Sequence, residues 1–245
     1  MRAAVHTAPE FFTTQEWAAY TAEQHEVWSL LYARRMSELE STGSRLFLEG
    51  AVRIGLQPDA VPDLEHVNQR LAALTGWNAV PVSGFIPPAD FFGCLARRRF
   101  PTTVIVRPRE QLEYLPEPDI FHDVFGHVPL HADPVFAAFL QRFGAVALRA
   151  RTEEQTRQMA RLFWFTVEFG LVRENGRVLV YGSGLISSAG DAANALGPRC
   201  ERRAFRLDDV LAQDFDIDRF QDVLFVVDGF DQLFDAVDTM AARFA

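Results

Sequence analysis

From residue 162 to 171 the chain reads Leu-Phe-Trp-Phe-Thr-Val-Glu-Phe-Gly-Leu, its most apolar and aromatic stretch, with a single charge, Glu168, inside it. A helix that is hydrophobic on every side must be buried. A carboxylate buried with it is costly unless it is paired or binds a metal. Any fold this chain adopts must therefore bring a cation to Glu168. A buried arginine is one solution, since all 24 basic residues are Arg; a metal ion is the other. The absence of Lys reads as a codon bias, and it excludes Schiff-base lysines, P-loop lysines and Ser-Lys dyads.

The 245 residues suffice for one large domain or two small ones. No linker, repeat or low-complexity stretch divides them, so a single domain over 1–245 is expected, with about 1–12 extended or poorly ordered. A composition of 49% hydrophobic and 23% charged residues is that of a well-cored globular protein. The formal charge of −9 opposes non-specific binding to nucleic acid or anionic membranes. Cys94 and Cys200 are too few for a disulfide framework or a cysteine-rich zinc site. No run approaches the ~18 apolar residues of a membrane span, and the N-terminus lacks the apolar region of a signal peptide. A soluble, reduced, cytoplasmic protein is expected.

Apolar spacing predicts helices from Trp17 to about Arg35, at Ser44–Ile54 and at Asp63–Leu74, the first started by the cap-like Thr13-Thr14-Gln15-Glu16. Residues 76–118 hold seven prolines around a β-like run, 102–106. So long an irregular segment in a compact chain is functional or disordered, and Phe85, Phe91, Phe92 and Phe100 oppose disorder. Helices are expected at 119–126, 134–147 and 153–170, with Asp133-Pro134 as cap and first turn. A hairpin follows, 171–173 and 178–181, turned at Asn175-Gly176; then come a strand at 223–227 and a last helix from Asp231. The fold class is mainly α with small β elements.

Three of the six histidines, His122, His127 and His131, fall within ten residues. On an α-helix, five residues turn about 500°, so His122 and His127 would point ~140° apart. A helix ending near Gly126 could turn His127 back toward His122. His127 and His131 are the rival pair, but Pro129 between them opposes a helix, which makes His131 a loop bystander. Two imidazoles and a carboxylate form the triad that suits non-haem Fe(II) with open coordination positions, and His122, His127 and Glu168 supply it without cysteine. The alternatives are a polar turn with three unrelated histidines, and a buried Arg–Glu168 pair.

Other motifs fail. Asp214, Asp216 and Asp218 imitate an EF-hand opening, but Arg219 stands at the required glycine and Phe225 at the required glutamate. Gly182-Ser183-Gly184 lacks its third glycine, where Ser187 stands, and has no βαβ unit around it. Arg97-Arg98-Arg99 is too short a run for a nucleic-acid patch in so acidic a chain.

The segments Pro116–Pro129 (PEPDIFHDVFGHVP) and Phe163–Leu171 (FWFTVEFGL) closely resemble the two signatures of the pterin-dependent aromatic amino acid hydroxylases, and Tyr181–Ser188 (YGSGLISS) is similar to a third. With Asp90–Gly93 and Phe220-Gln221, the similarity covers nearly the whole chain from about residue 10, and it is closest to the short bacterial members that consist of the catalytic domain alone.

The resemblance implies a single basket-like catalytic domain without regulatory or tetramerisation domains, and a monomer. It implies a monooxygenase that takes Fe(II), tetrahydropterin and O₂, with His122, His127 and Glu168 as catalytic iron ligands. Arg107 aligns with the arginine that binds the substrate carboxylate and Asp119 with its acidic partner; Pro118, Trp164, Gly184 and Ser187 match the amino acid pocket. Phe91 resembles the ring that stacks on the pterin, with Gly84, Ile86, Ala160 and Phe163 beside it. Asp123 stands where many relatives carry a Glu near the pterin. Leu115 and Phe163 depart from a Thr and a Tyr of animal relatives. Trp164 and an apolar Ile217 favour L-phenylalanine, giving L-tyrosine. The alternatives are tryptophan or tyrosine as substrate within the family, and a zinc-dependent hydrolase on the same triad.

Overall fold

A computed structural model describes residues 11–112 and 117–245; the expected behaviour of residues 1–10, and Leu115, lie outside the described residues. The chain is mainly helical with two small sheets. Its first long helix, α1 (Ala22–Thr42), starts later than expected. The cap is Thr21, which forms a reciprocal capping box with Gln24. Gln15 and Trp17 are drawn instead onto the turn before the third helix. There Gln15 bonds Pro62 O and Leu64 N, and the Trp17 indole donates to Val61 O at 2.7 Å. Helices α2 (Arg45–Ile54) and α3 (Leu64–Leu74) fall where the apolar spacing puts them, capped by Ser44 and Asp63.

The proline-rich segment is ordered. Strands β1 (Asn78–Val82) and β2 (Arg99–Thr103) form a parallel pair flanking α4 (Pro88–Ala96), which opens with proline in its first turn. Pro81 and Pro101 are tolerated because each strand is an edge. The strand lies earlier than the apolar run 102–106: Ile105 is 54% exposed, and pairing with β1 decides the register.

A π-helix (Phe121–His127) and a 3₁₀ turn (Val128–Ala132) lead into α5 (Pro134–Ala147), capped by Asp133. Helix α6 (Glu153–Phe163) passes into a second π-helix (Trp164–Glu168). Then follow β3 (Leu171–Glu174), β4 (Arg177–Val180), α7 (Ser183–Ser187), α8 (Ala189–Leu196), β5 (Glu201–Ala204), α9 (Leu207–Ala212), β6 (Val223–Val227) and α10 (Asp231–Arg243). The hairpin turns at Asn175 and Gly176 with φ 51° and 77°, as an Asn-Gly I′ turn requires. The second sheet has the order β4-β3-β6-β5, with only β3/β4 antiparallel.

One hydrophobic core runs from Val27 to Phe244 and is built mainly of Leu, Val and Phe. Phe121 stacks on Phe125 at 4.5 Å, with Trp28 and Phe47 edge-on to the pair. The outer side of the first π-helix is thereby locked into the core. Among the described residues no helix is long and apolar enough to cross a membrane.

Candidate active site

The first π-helix solves the histidine spacing differently from the sequence reading. The chain does not stop at Gly126; it widens. Hydrogen bonding from i to i+5 puts residues five apart over one another, so His122 and His127 share a face, with ring centroids 5.1 Å apart. Gly126 serves close approach rather than termination: a Cβ there would stand 2.9 Å from the Ser183 carbonyl oxygen. The second π-helix closes with Phe169 N–H donating to Trp164 O at 2.8 Å, five residues back. Its last residue is Glu168.

These two segments bring the three predicted ligands together. His127 Nε2 lies 3.0 Å from Glu168 Oε1 and His122 Nε2 lies 3.7 Å from Glu168 Oε2. Among the described residues no guanidinium pairs with Glu168, so the arginine alternative fails. Burial pushes the Glu168 pKa up, but His127, His122 and the Ser183 hydroxyl outweigh it and hold the carboxyl at about 2. It is therefore ionised and faces two imidazoles.

The hydrogen bonds around Ser187 show which nitrogen of His122 donates to it. Ser187 has one hydroxyl proton and donates it to Ser183 O at 2.8 Å. Its oxygen, 2.9 Å from His122 Nδ1, then accepts from Nδ1–H. Nε2 is the ring nitrogen left facing Glu168, the one a metal would use. Ser187, matched by resemblance to the amino acid pocket, is thus also bonded to a candidate ligand.

Asp123 is a rival carboxylate, since one ligand atom each from His122, Asp123 and His127 lie within 4.8 Å of one another. Its Oδ2 is occupied, however, by Thr103 N at 2.6 Å and Thr103 Oγ1 at 2.8 Å. Burial raises its pKa against the pull of His122 and Thr103. Glu168, not Asp123, faces both Nε2 atoms. His131 is no loop bystander: it is buried in the 3₁₀ turn, bonds His127 O through Nδ1 at 2.9 Å and packs on Trp77. Burial lowers its pKa to about 3, so the neutral ring supports the His127 backbone. Pro129 blocks an α-helix there but fits the 3₁₀ turn.

Arg107 and Asp119 form a buried two-pronged pair, Nε to Oδ2 at 2.8 Å and Nη2 to Oδ1 at 2.9 Å. Asp119 also accepts from Arg107 N and, at 3.0 Å, from His122 N. The carboxylate therefore ties the arginine to the start of the first π-helix. Arg107 Nη1 donates to Leu112 O, and two of its five N–H groups remain without a partner among the described residues. Half-buried Pro118 adjoins Asp119.

Trp164 lies between Phe169 (4.6 Å) and Phe215 (4.5 Å, 15°). Gly184 sits where a Cβ would be 3.0 Å from the Phe169 ring. On the other side Phe91 meets Phe163 edge-on at 5.5 Å, and Phe100 links Phe91 (6.0 Å) to His127 (4.5 Å). Ala160 is half-buried in the last turn of α6 before Phe163; Ile86 is half-buried ahead of α4, and a Cβ on Gly84 would meet nothing within 4 Å. Ile217 is 70% exposed in the loop before β6, so the apolar wall expected of it is not formed there. Sequence reasoning missed Ser183, Thr103, Phe100 and Phe215; all act through contacts distant in the chain. For Ser183 the only signal was its place in the Gly-Ser-Gly motif.

An α-rich fold in which two imidazoles and a carboxylate converge beside aromatic side chains suits a protein that holds a metal ion. The chain belongs to the biopterin-dependent aromatic amino acid hydroxylase family, which it matches over residues 11–245. It is 42% identical to phenylalanine-4-hydroxylase of Chromobacterium violaceum over 232 residues, covering 94% of this chain and 78% of that protein. The structure of phenylalanine hydroxylase from that organism with bound iron(III) and oxidised 7,8-dihydrobiopterin superposes with a TM-score of 0.92, at 41% identity, over 97% of this chain and 87% of the other. Its iron- and phenylalanine-bound structure gives 0.89 at 39% identity, over 97% and 88%.

Proposed function

We propose that this chain hydroxylates L-phenylalanine to L-tyrosine with Fe(II), a tetrahydropterin and O₂, on a centre formed by His122, His127 and Glu168. The convergence of both Nε2 atoms on the two oxygens of an arginine-free Glu168 carries the reading. The donor set fits ferrous iron: two neutral imidazoles and one carboxylate, with no thiolate. Phe91 and Phe163, in edge-on contact, offer aromatic surface suited to a flat ring.

Iron and pterin supply the oxygen-activating chemistry when bound. The chain's own residues bind and orient. The two unused N–H groups of Arg107 suit an amino acid carboxylate, and Asp119 holds the guanidinium in place. Pro118, Trp164 and Gly184 wall the substrate ring. Phe91 presents a stacking face to the pterin, with Gly84, Ile86, Ala160 and Phe163 around it; Asp123 lies beside it, steadied by Thr103. The apolar walls exclude water from the reacting groups.

The chain acts as one catalytic domain, a cytoplasmic monomer whose partners are small molecules. The single core supports one domain, and the net charge of −9 opposes nucleic-acid partners. A zinc hydrolase is not favoured, because family and relatives point to pterin-dependent hydroxylation. The test is anaerobic reconstitution with Fe(II), then product analysis for phenylalanine, tyrosine and tryptophan under O₂ and tetrahydropterin. Tyrosine formed from phenylalanine, dependent on iron and pterin, is the expected outcome. Turnover with Zn(II), or without pterin, refutes it.

A further inference from the structure

Helix α7 is one turn long, and its two serines, four apart, lie on one face. Ser187 serves His122, as described; Ser183 Oγ lies 2.9 Å from Glu168 Oε2. We propose that Ser183 is a positioning residue whose hydroxyl engages Glu168 Oε2 and so presents Oε1, the oxygen nearer His127, to the metal. This rests on Glu168 being a metal ligand.

Ser183 has one proton and two acceptors in reach, the carboxylate and Val167 O at 3.2 Å. The shorter contact, to an ionised oxygen, takes it. The serine cannot drift away. Gly126 and Gly182 let the α7 backbone press onto the two π-helices, where a Cβ on Gly182 would stand 2.4 Å from Glu168 O. From the far side the buried Arg35 guanidinium donates to Ile186 O at 2.8 Å and Leu185 O at 3.0 Å. One short element, anchored from behind, thus sets the orientation of a ligand from each π-helix. Without the hydroxyl both carboxylate oxygens are free, and the side chain can rotate or bind through both.

The test uses Co(II), titrated into the metal-free full chain, reading affinity and the visible d–d bands, which report coordination number and ligand field. Ser183→Ala removes only the hydroxyl and suits a helix. Expected are an about tenfold weaker Co(II) affinity, in the range seen when such supporting contacts to metal ligands are lost, and shifted bands, whatever the change in melting temperature of the metal-free chain. Glu168→Gln is titrated alongside. If it keeps wild-type affinity and bands, the ligand reading itself fails. If it loses affinity while Ser183→Ala stays within twofold of wild type with unmoved bands, only the role of Ser183 is overturned. Weaker binding with unmoved bands and a lowered melting temperature overturns it too, because that pattern marks packing.

Discussion

Replacing Arg107 by Lys separates the geometry of the proposed substrate anchor from its charge. Arg107→Ala would leave the Asp119 carboxylate buried beside a hole, and breaking such a pair costs about 3–5 kcal/mol. That is a large part of the ~5–15 kcal/mol total of a typical domain. Lysine keeps a cation against Asp119 but not the planar fork. Arg107 holds Asp119 through two nitrogens and Leu112 O through a third, which leaves one N–H each on Nη1 and Nη2. A lysine satisfying Asp119 has no second planar pair to offer. The substrate then loses one hydrogen bond between charged groups, worth about 1.5–3 kcal/mol. At about 1.4 kcal/mol per decade, kcat/KM for phenylalanine falls roughly 10–100-fold. Steady-state kinetics with Fe(II) and saturating tetrahydropterin measure this, with KM for pterin expected within twofold of wild type. A phenylalanine kcat/KM within threefold of wild type, or an equal rise in pterin KM, refutes the anchor role.

His122→Ala or Glu168→Ala should abolish hydroxylation while circular dichroism and the melting profile stay close to wild type; near-normal turnover removes the triad. Gly126→Ala puts a methyl 2.9 Å from Ser183 O, and overpacking of this kind costs ~1–3 kcal/mol. A melting temperature several degrees lower and a reduced iron content are expected, and unchanged values for both would contradict the close-approach argument. Gly176→Ala, at φ 77° with open space around it, should cost ~1–2 kcal/mol and leave kcat and KM untouched; altered kinetics would show that the hairpin turn communicates with the site.

What the sequence made legible is local or strongly apolar. The Asn175-Gly176 turn, the cap at Asp133 and the near-burial of Glu168 each follow from a few neighbouring residues. Helix α4 had a local signal in Pro87-Pro88, masked by the density of prolines around it. The true start of α1 and the place of β2 were set by partners distant in the chain: the 61–64 turn for Gln15 and Trp17, and β1 for residues 99–103. Ser183, Thr103 and Phe100 were invisible for the same reason. A serine after a glycine carries no mark of the carboxylate fifteen residues earlier that it will meet.

The π-helices are the point where helical periodicity, applied faithfully, gives a wrong geometry from correct residues. At 3.6 residues per turn, His122 and His127 diverge, and the remedy consistent with that rule was to end the helix at Gly126. The structure keeps the helix and changes its width. Widening spoils regular hydrogen bonding and is rare in ordinary helices, so something must hold it. Here the Phe121–Phe125 stack locks the outer face, Asp119 fixes the first turn through His122 N, and α7 presses on Gly126 from within. The second widened turn, Trp164–Glu168, is held by the same α7 through Gly182 and Ser183. Both distortions therefore lean on one short helix and face one another across the site. A five-residue interval between polar side chains in an otherwise apolar helical run is then a positive signal: it suits neither face of an α-helix and one face of a π-turn, and the pair His122/His127 shows what that single face can hold.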